Sequence, residues 1–456
     1  MTKNASFFTI SIFLWNSNKY SYNPSIKILM SKTLIFHDTF LMRGGAERMN
    51  IEIAKWLGAD IATAIWSPDC YDSRSMGFQW EIFEVVSVWR RGMIGFLRMK
   101  WRFFRSAHIT ANYDSILFSN EAITGIWNTK PGTKTYYYAH SISRHLFDQR
   151  SEYLAKVPLF ARPFFLIFSV FLRWIYKKEL GKIDTIFVNS EANKKRMAEW
   201  CGRSDAIVIY PGVDVAKFDI FDEELVSQII AIEWFIPKDK YNYGKEISQK
   251  QEFQGRENFS KWSYEWISDL EKSLSDAEIR SFSGISYKWY YLSFSRLTHA
   301  KRIDTIIRAF AQMPEKNIII LYGENDSQWD EFMRLGEWYP NIIFHKLSDN
   351  NHLPHIISGS IASICISENE DFGMVAIESM ACGVPVIAVD EWGYRESMVV
   401  GETGYLVESE NLENNLVEIV KNTSPETLKN MEQDCRDRAL DFSLTAMNTS
   451  IAQYIQ

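Results

Sequence analysis

From Ile361 to Ala388 the chain reads as a buried strand, an acidic turn, a helix and a second buried strand, and this grammar leaves few folds open. The run Ile361-Ala362-Ser363-Ile364-Cys365-Ile366 is almost wholly apolar or small, as expected of a strand covered on both faces. Glu370-Asp371-Phe372-Gly373 then turns into a stretch with helical character from about Gly373 to Cys382, and Gly383 stops it before Val384-Pro385-Val386-Ile387-Ala388. A strand, a helix and a strand in succession predict a parallel sheet with helices on its faces. Glu370 falls in the turn and Glu378 about a turn and a half into the helix. Both stand near a helix N-terminus, where free N–H groups and the positive dipole end favour anions or sugar hydroxyls. Acids there also compensate the dipole, so the pair alone fits either purpose.

The same alternation runs through the rest of the chain. Thr33-Leu34-Ile35-Phe36-His37 is strand-like, Arg43-Gly44-Gly45-Ala46-Glu47 is a glycine turn, and Met49 to Leu57 has helical spacing. Further strands are expected at 61–66, 115–119, 135–140 and 185–190, and the first unit closes near 208–214. A second unit begins at Trp289, with strands at 289–294, 318–321, 342–344, 362–366 and 384–389. At 456 residues the chain exceeds one compact core, and 46% hydrophobic residues suffice for two. The organisation expected is an N-terminal domain over 30–218, an inserted helical or partly disordered segment over 219–288, a C-terminal domain over 289–437 and a last helix over 438–456. Met30 directly precedes the first strand, so it is expected to be the natural start, with 1–29 an extension.

Five elements in order carry a family resemblance: Glu370, seven residues, Glu378; then the small-residue helix end Ser379-Met380-Ala381-Cys382; then Gly383-Val384-Pro385-Val386-Ile387-Ala388; then Gly393-Tyr394-Arg395-Glu396; then Thr403-Gly404-Tyr405-Leu406. In this the chain resembles the retaining glycosyltransferases of family 4, over about residues 30–218 and 289–456. The resemblance implies the α/β GT-B fold: two doubly wound, Rossmann-like domains facing across a cleft, with the C-terminal helix crossing back. It implies a hexose moved from a nucleotide sugar. Departure of the diphosphate builds negative charge that must be stabilised. Ser295-Arg296-Leu297-Thr298-His299-Ala300-Lys301 follows a strand and opens a helix, and the family's Arg-Leu, three residues, Lys matches Arg296 and Lys301. Arginine suits a bidentate phosphate contact and lysine acts as a point charge. Cations at a helix start oppose the dipole, which favours a functional purpose over a solvated one.

By the same resemblance Glu370 reads hydroxyls of the donor sugar, with the N–H groups of Phe372 and Gly373 assisting, and Glu378 reads the ribose. A carboxylate can accept from both hydroxyls of a vicinal diol. Gly44 and Gly45 match the family's glycine loop, where backbone approaches phosphate or acceptor closely. His140 ends a strand on the cleft side and is expected to hydrogen-bond the donor sugar; relatives carry a Cys where Ala139 stands and a proline-rich turn after the His, so this match is partial. His37 and His145 are weaker candidates. Many relatives have Gly where this chain has Asp371. No Asp-x-Asp, His-Glu-x-x-His, Walker loop or nucleophile elbow occurs, so metal independence is expected, with no resident cofactor and no metal ligands. Retention would then follow same-face attack, the leaving phosphate helping to accept the acceptor's proton.

Among donors GDP-mannose is favoured, because the Gly-Gly-Ala-Glu-Arg run, the His140 region and Glu-Asp-Phe-Gly-Met together look mannosyltransferase-like. A UDP-hexose is the alternative, as is an inactive GT-B scaffold working through 219–288. The expected acceptor is a glycan or a lipid-linked glycan of surface polysaccharide synthesis. A net charge of −7 argues against nucleic acid as a partner. Five cysteines without CxxC spacing fit reduced thiols and a cytoplasmic setting. The apolar run 164–172 is too short to span a bilayer, but Arg162, Arg173, Lys177 and Lys178 flank it. It fits an interfacial helix or a buried one with snorkelling ends. Weak membrane-surface contact through 162–178 is the expectation, making the protein peripheral on the cytoplasmic membrane face.

Overall fold

The computed structural model describes residues 32–41, 44–67, 70–71, 77–85, 93–218, 290–323, 328–347 and 350–455. The expected extension over 1–29 and the inserted segment over 219–288 lie outside the described residues.

Two parallel sheets form the frame. The first runs through β1 (Thr33–His37), β2 (Asp60–Thr63), β3 (Ile82–Glu84), β4 (Ser115–Ser119), β5 (Lys134–Ala139), β6 (Thr185–Val188) and β7 (Ile207–Val208), in the order β3-β2-β1-β4-β5-β6-β7. The second holds β8 (Tyr290–Phe294), β9 (Asn317–Tyr322), β10 (Ile342–Lys346), β11 (Ser363–Cys365), β12 (Val386–Val389) and β13 (Gly404–Val407), in the order β10-β9-β8-β11-β12-β13. Every residue of β1, β4, β8 and β12 is buried, which is why these strands read as unbroken rather than alternating apolar runs. In both sheets the strand order reverses at the centre, between β1 and β4 and between β8 and β11. A doubly wound sheet opens a crevice at the carboxyl ends of its strands at that switch point. The sites predicted from sequence all lie in the loops leaving β1, β5, β8 and β11 or in the helices those loops open.

The helices that matter here are α1 (Gly45–Leu57), α2 (Met93–Phe104), α3 (Arg162–Leu180), α4 (Glu191–Arg196), α5 (Met374–Ala381) and α6 (Leu444–Ala452). α5 is cut off as the sequence predicts: Gly383 takes the left-handed conformation at φ 72°, its N–H donating to the Met380 carbonyl at 2.8 Å. α6 crosses back to the first domain. Met447, Ile451 and Ile455 are buried in one core with Ile35, Met49, Ile51 and Tyr136, and the Tyr136 hydroxyl donates to the Tyr454 carbonyl at 2.9 Å. The return is pinned where it passes the first domain's exit, Val213 N–H donating to Phe442 O at 2.8 Å and Leu444 N–H to Val213 O at 3.0 Å. A Cβ on Gly212 would lie 2.9 Å from Leu444 Cα, so the two segments cross only because residue 212 has no side chain.

The apolar run 164–172 turned out to be the middle of something longer. Leu159–Leu180 is continuous over 22 residues, long and apolar enough to cross a membrane by length and composition. One face of α3 nevertheless packs on the first domain, through Ser169, Tyr176, Glu179 and Leu180. The Tyr176 hydroxyl meets that of Tyr137 at 3.0 Å, and Arg173 Nε donates to the Leu146 carbonyl at 3.2 Å. α3 is therefore a two-faced helix seated on the domain.

Truncating Ile451, which is 1% exposed, should remove the docking of α6. We expect Ile451→Ala to cost about 2–5 kcal/mol in the unfolding transition of the first domain, measured by urea titration of its tyrosine and tryptophan signals. A loss below about 1 kcal/mol would mean that α6 is not part of that core.

Candidate functional site

The loop that leaves β11 carries Glu370, and its shape is set by two tight backbone approaches. Gly373 caps α5 in the left-handed region at φ 85°, and a Cβ there would stand 2.6 Å from the Tyr394 ring. A Cβ on Gly393 would lie 2.4 Å from the backbone of Phe372, so the 391–394 loop lies flat against the Glu370 loop. Gly393 N–H donates to the Glu370 carbonyl at 3.2 Å. From below, Arg302 pairs with Glu391 at 3.0 Å, and the other Glu391 oxygen accepts from Asn369 N–H at 3.3 Å. The Phe372 ring is buried beside Tyr210 and Phe442, at centroid distances of 5.4 and 5.3 Å. It anchors the loop, leaving only its backbone for the role expected of it.

Across this loop the predicted residues meet in pairs. Lys301 Nζ lies 2.5 Å from Glu370 Oε2. The two arrive from different strands, β8 and β11, which are neighbours at the switch point. Arg296, from the same β8 loop, is exposed, and its charge is felt by Glu47 on the opposite wall. Glu378, one and a half turns into α5, is held by a residue the sequence did not single out. Arg48 Nη2 donates to Glu378 Oε1 at 2.6 Å, and Arg48 belongs to α1 of the first domain. Gly45 abuts the same place: a Cβ on it would stand 2.8 Å from Met374 Sδ, at the start of α5. The glycine loop and the Glu370–Glu378 segment are thus opposite walls of one cleft. Over Gly44 lies the Glu47 carboxylate, 2.2 Å from where a Cβ would be, so a side chain at residue 44 would push the Glu47 carboxylate aside. Burial pushes the Glu47 carboxyl up to about 7, against the pull of Arg296.

His140 caps β5 at the same carboxyl-end crevice, half-buried, in a polar cluster under the glycine loop. Asn50 Nδ2 is 2.9 Å from His140 Nε2, 3.2 Å from His37 Nδ1 and 3.2 Å from Ser119 Oγ. The same nitrogen donates to the Ala46 carbonyl at 2.9 Å, which fixes the orientation of the amide. His140 Nε2 then accepts, and its proton sits on Nδ1. Burial, followed by the neighbouring His37, lowers His140 to about 3, and burial lowers His37 also. Both imidazoles are neutral near pH 7, so His140 can hydrogen-bond a ligand but carries no charge. The side chain of His145 is outside the described residues.

Three other links across the cleft were invisible as motifs. Asp371 Oδ1 accepts from Arg196 Nη1 of α4 at 2.6 Å. Arg144 Nη1 donates to the Asn369 carbonyl at 3.0 Å. Glu396, of the Gly-x-x-Glu element, accepts from the N–H groups of Glu191 and Ala192 at 2.7 and 2.9 Å, capping the first domain's α4. Among the described residues no group of three His, Cys, Asp or Glu side chains is arranged to hold a metal.

The pairing of an N-terminal glycine loop with a C-terminal Glu-x7-Glu segment coincides with two family models. One described as Glycosyltransferase Family 4 matches residues 43–217, and one described as Glycosyl transferases group 1 matches residues 275–438. The chain belongs to glycosyltransferase family 4. Similar curated members include the N-acetyl-alpha-D-glucosaminyl L-malate synthase of Bacillus anthracis, 28% identical over 123 residues, which are 26% of this chain and 31% of that protein. The alpha-1,3/1,6-mannosyltransferase ALG2 of Kluyveromyces lactis is 24% identical over 276 residues, 59% of this chain and 48% of the relative. The chain thus spans about a third to a half of the length of these family-4 relatives. Among solved structures, that of Anabaena Alr3699/HepE in complex with UDP and glucose superposes with a TM-score of 0.63 at 18% identity, covering 92% of this chain and 98% of that one. At that identity the likeness shows the fold, which is GT-B.

The neutral histidines give the site a pH signature. As pH falls below the ordinary histidine value of 6.5, the unfolded chain takes up protons that folded His37 and His140 refuse, so their contribution to stability is lost towards acid. Glu47, raised from 4.5 to about 7, works in the opposite sense over the upper part of that window, its contribution fading as pH rises towards 7. Replacing one histidine isolates its share. The drop in urea midpoint between pH 6.5 and 5 should be smaller in His140→Gln than in the unaltered protein. Equal drops would show that His140 is protonated normally in the fold.

Proposed function

We propose that this protein is a retaining glycosyltransferase that moves a hexose, with mannose favoured, from a nucleotide sugar to a glycan or lipid-linked glycan acceptor in surface polysaccharide synthesis. The observation that carries the reading is the Lys301–Glu370 pair, 2.5 Å apart at the switch point and facing the glycine loop. In this reading Lys301 is the cation for a leaving diphosphate and Glu370, beside it, the carboxylate for sugar hydroxyls. Arg296 would join Lys301 on the diphosphate. Glu378 would accept from the ribose with the oxygen that Arg48 leaves open, since a carboxylate has acceptor sites to spare. Gly44 and Gly45 would let phosphate or acceptor approach the backbone, and neutral His140 would hydrogen-bond the sugar. The N–H groups of Phe372 and Gly373, at the start of α5, would add a fixed dipole on the same side.

Chemically the site offers positive charge where the departing diphosphate gathers negative charge, and this is the largest contribution such a reaction needs. Two side-chain cations and a helix end can neutralise it, so transfer is proposed to need no metal. Same-face attack then retains the anomeric configuration: the bond from the anomeric carbon to phosphate oxygen breaks as that from carbon to the acceptor oxygen forms. The leaving phosphate takes the acceptor's proton. Support for mannose comes from the yeast relative, a mannosyltransferase by name, whose match extends over 59% of this chain. The Anabaena structures with UDP and with UDP-glucose are the reason a UDP-hexose donor stands as the second reading.

The first domain also presents a surface suited to a membrane. On α3 and the turn before it, Leu159, Phe160, Phe164, Ile167, Val170, Phe171 and Trp174 are exposed, Phe160 to 81%. On α2, Ile94, Leu97, Trp101 and Phe104 are exposed at helical spacing. Both helices join at a buried charge cluster, Lys100 with Glu121 at 2.5 Å and Glu179 beside them. Apolar stripes rimmed by Arg98, Arg102, Arg105, Lys177 and Lys178 match an interface with anionic headgroups. We propose peripheral attachment there, on the cytoplasmic membrane face, which would bring a lipid-linked acceptor to the cleft.

Two measurements check these readings. In a screen of nucleotide sugars for binding and slow hydrolysis, GDP-mannose should be turned over fastest, and Lys301→Ala and Glu370→Ala should each lower kcat by roughly 10²-fold or more. Turnover unchanged in Glu370→Ala would remove the central assignment, and faster turnover of a UDP-hexose would decide for the second reading. In flotation with phosphatidylglycerol-containing vesicles the protein should rise with the lipid, and a Phe164→Glu, Trp101→Glu variant should stay behind. Protein left in the soluble fraction in both cases would contradict attachment.

A further inference from the structure

The loops around Glu370 contain two non-glycine residues in the left-handed region, Asn369 at φ 50° and Trp392 at φ 42°. Asparagine tolerates this conformation, but for a bulky residue such as tryptophan it is strained. It persists where the surroundings over-determine it. Here each of the two residues is held by an arginine of the other domain. Arg144 Nη1 donates to the Asn369 carbonyl at 3.0 Å, and the Arg196 guanidinium lies 3.8 Å from the centre of the Trp392 ring. The two loops are joined to each other by Gly393 N–H donating to the Glu370 carbonyl.

Arg196 is an expensive residue to place there. Its side chain is 2% exposed, its Nη1 serves Asp371 at 2.6 Å and Asn193 at 3.0 Å, and its Nε and Nη2 are buried without a hydrogen-bond partner. A desolvated, half-satisfied guanidinium is poor value for stability alone. It makes sense as a device for holding one specific arrangement.

Resting on the donor-site reading above, we propose that Arg196 and Asp371 are positioning residues for sugar transfer. Their ion pair, made only when the carboxyl ends of the two sheets face each other, holds the Glu370 loop in its strained shape. Glu370 thereby stays opposite Lys301. When the domains part, the grip on Trp392 and Asp371 is lost, and the loop can relax. Sugar reading is in this way conditional on the first domain being docked, while the nucleotide contacts of Arg296, Lys301 and Glu378 lie on the second domain alone.

The test separates transfer from nucleotide binding. Arg196→Gln and Asp371→Asn should each lower kcat by on the order of tenfold to a hundredfold, the cost of misplacing a reacting group by about an ångström. The double variant should lose no more than either single one, because the two act as a unit. Binding of GDP and UDP, measured by calorimetry, should change less than about twofold. The double variant also guards against misfolding, since it leaves no buried charge unpaired. A kcat retained in Arg196→Gln would overturn the proposal, as would nucleotide affinity falling in step with kcat. Failure of the unaltered protein to turn over any nucleotide sugar would instead overturn the donor-site reading, and the proposal with it.

Discussion

The structure depends on charge pairing across a single cleft. Three acids of the second domain, Asp371, Glu378 and Glu396, are each met by a group of the first: Arg196, Arg48 and the N-terminus of α4. Isolated surface pairs contribute little, but these are partly or wholly buried and stand around one loop. They determine where Glu370 sits relative to the glycine loop, and every chemical role assigned above follows from that relation.

The topology explains why the cleft can exist. Each sheet reverses strand order at its centre, so each opens a crevice at its carboxyl edge. The crossing of 212–213 with 442–444 turns the two edges towards one another, and α6 closes the arrangement by burying Met447 and Ile451 in the first domain's core. A wall from each domain then supplies what the other lacks. The second domain brings Lys301, Glu370 and Glu378. The first brings the glycine loop, neutral His140 and the arginines.

What the sequence revealed and what it hid divide along a physical line. The segment 361–388 was legible because its signals are local: an apolar run, a glycine stop and a second apolar run within thirty residues. Arg296, Lys301, Glu370 and Glu378 were named through their match to the family's motifs, and they stand after the neighbouring strands β8 and β11, Glu378 within the helix that follows. Arg48 stands 330 positions from Glu378 and Arg196 175 from Asp371, and no periodicity reports on a pairing over such a span. Asp371, a departure from the family pattern, turns its carboxylate to Arg196. The apolar run 164–172, read as too short to span a bilayer, belongs to a continuous stretch, Leu159–Leu180, that is long enough by length and composition. Arg162, Arg173, Lys177 and Lys178 flank the apolar run, and the helix continues past its end through Arg173, which reaches the Leu146 carbonyl, and through the exposed Lys177 and Lys178. For Phe372 only the backbone N–H was assigned a role; its ring, which the sequence left without one, serves the aromatic cluster with Tyr210 and Phe442.

The central claim is that one nucleotide sugar is held between both walls of this cleft. Amide hydrogen exchange in the presence and absence of GDP-mannose tests it without altering a residue. Exchange should slow on the second-domain loops at 295–302 and 366–378 and, together with them, on the first-domain glycine loop at 44–50. Protection confined to one domain, or lying away from both loops, would contradict the account.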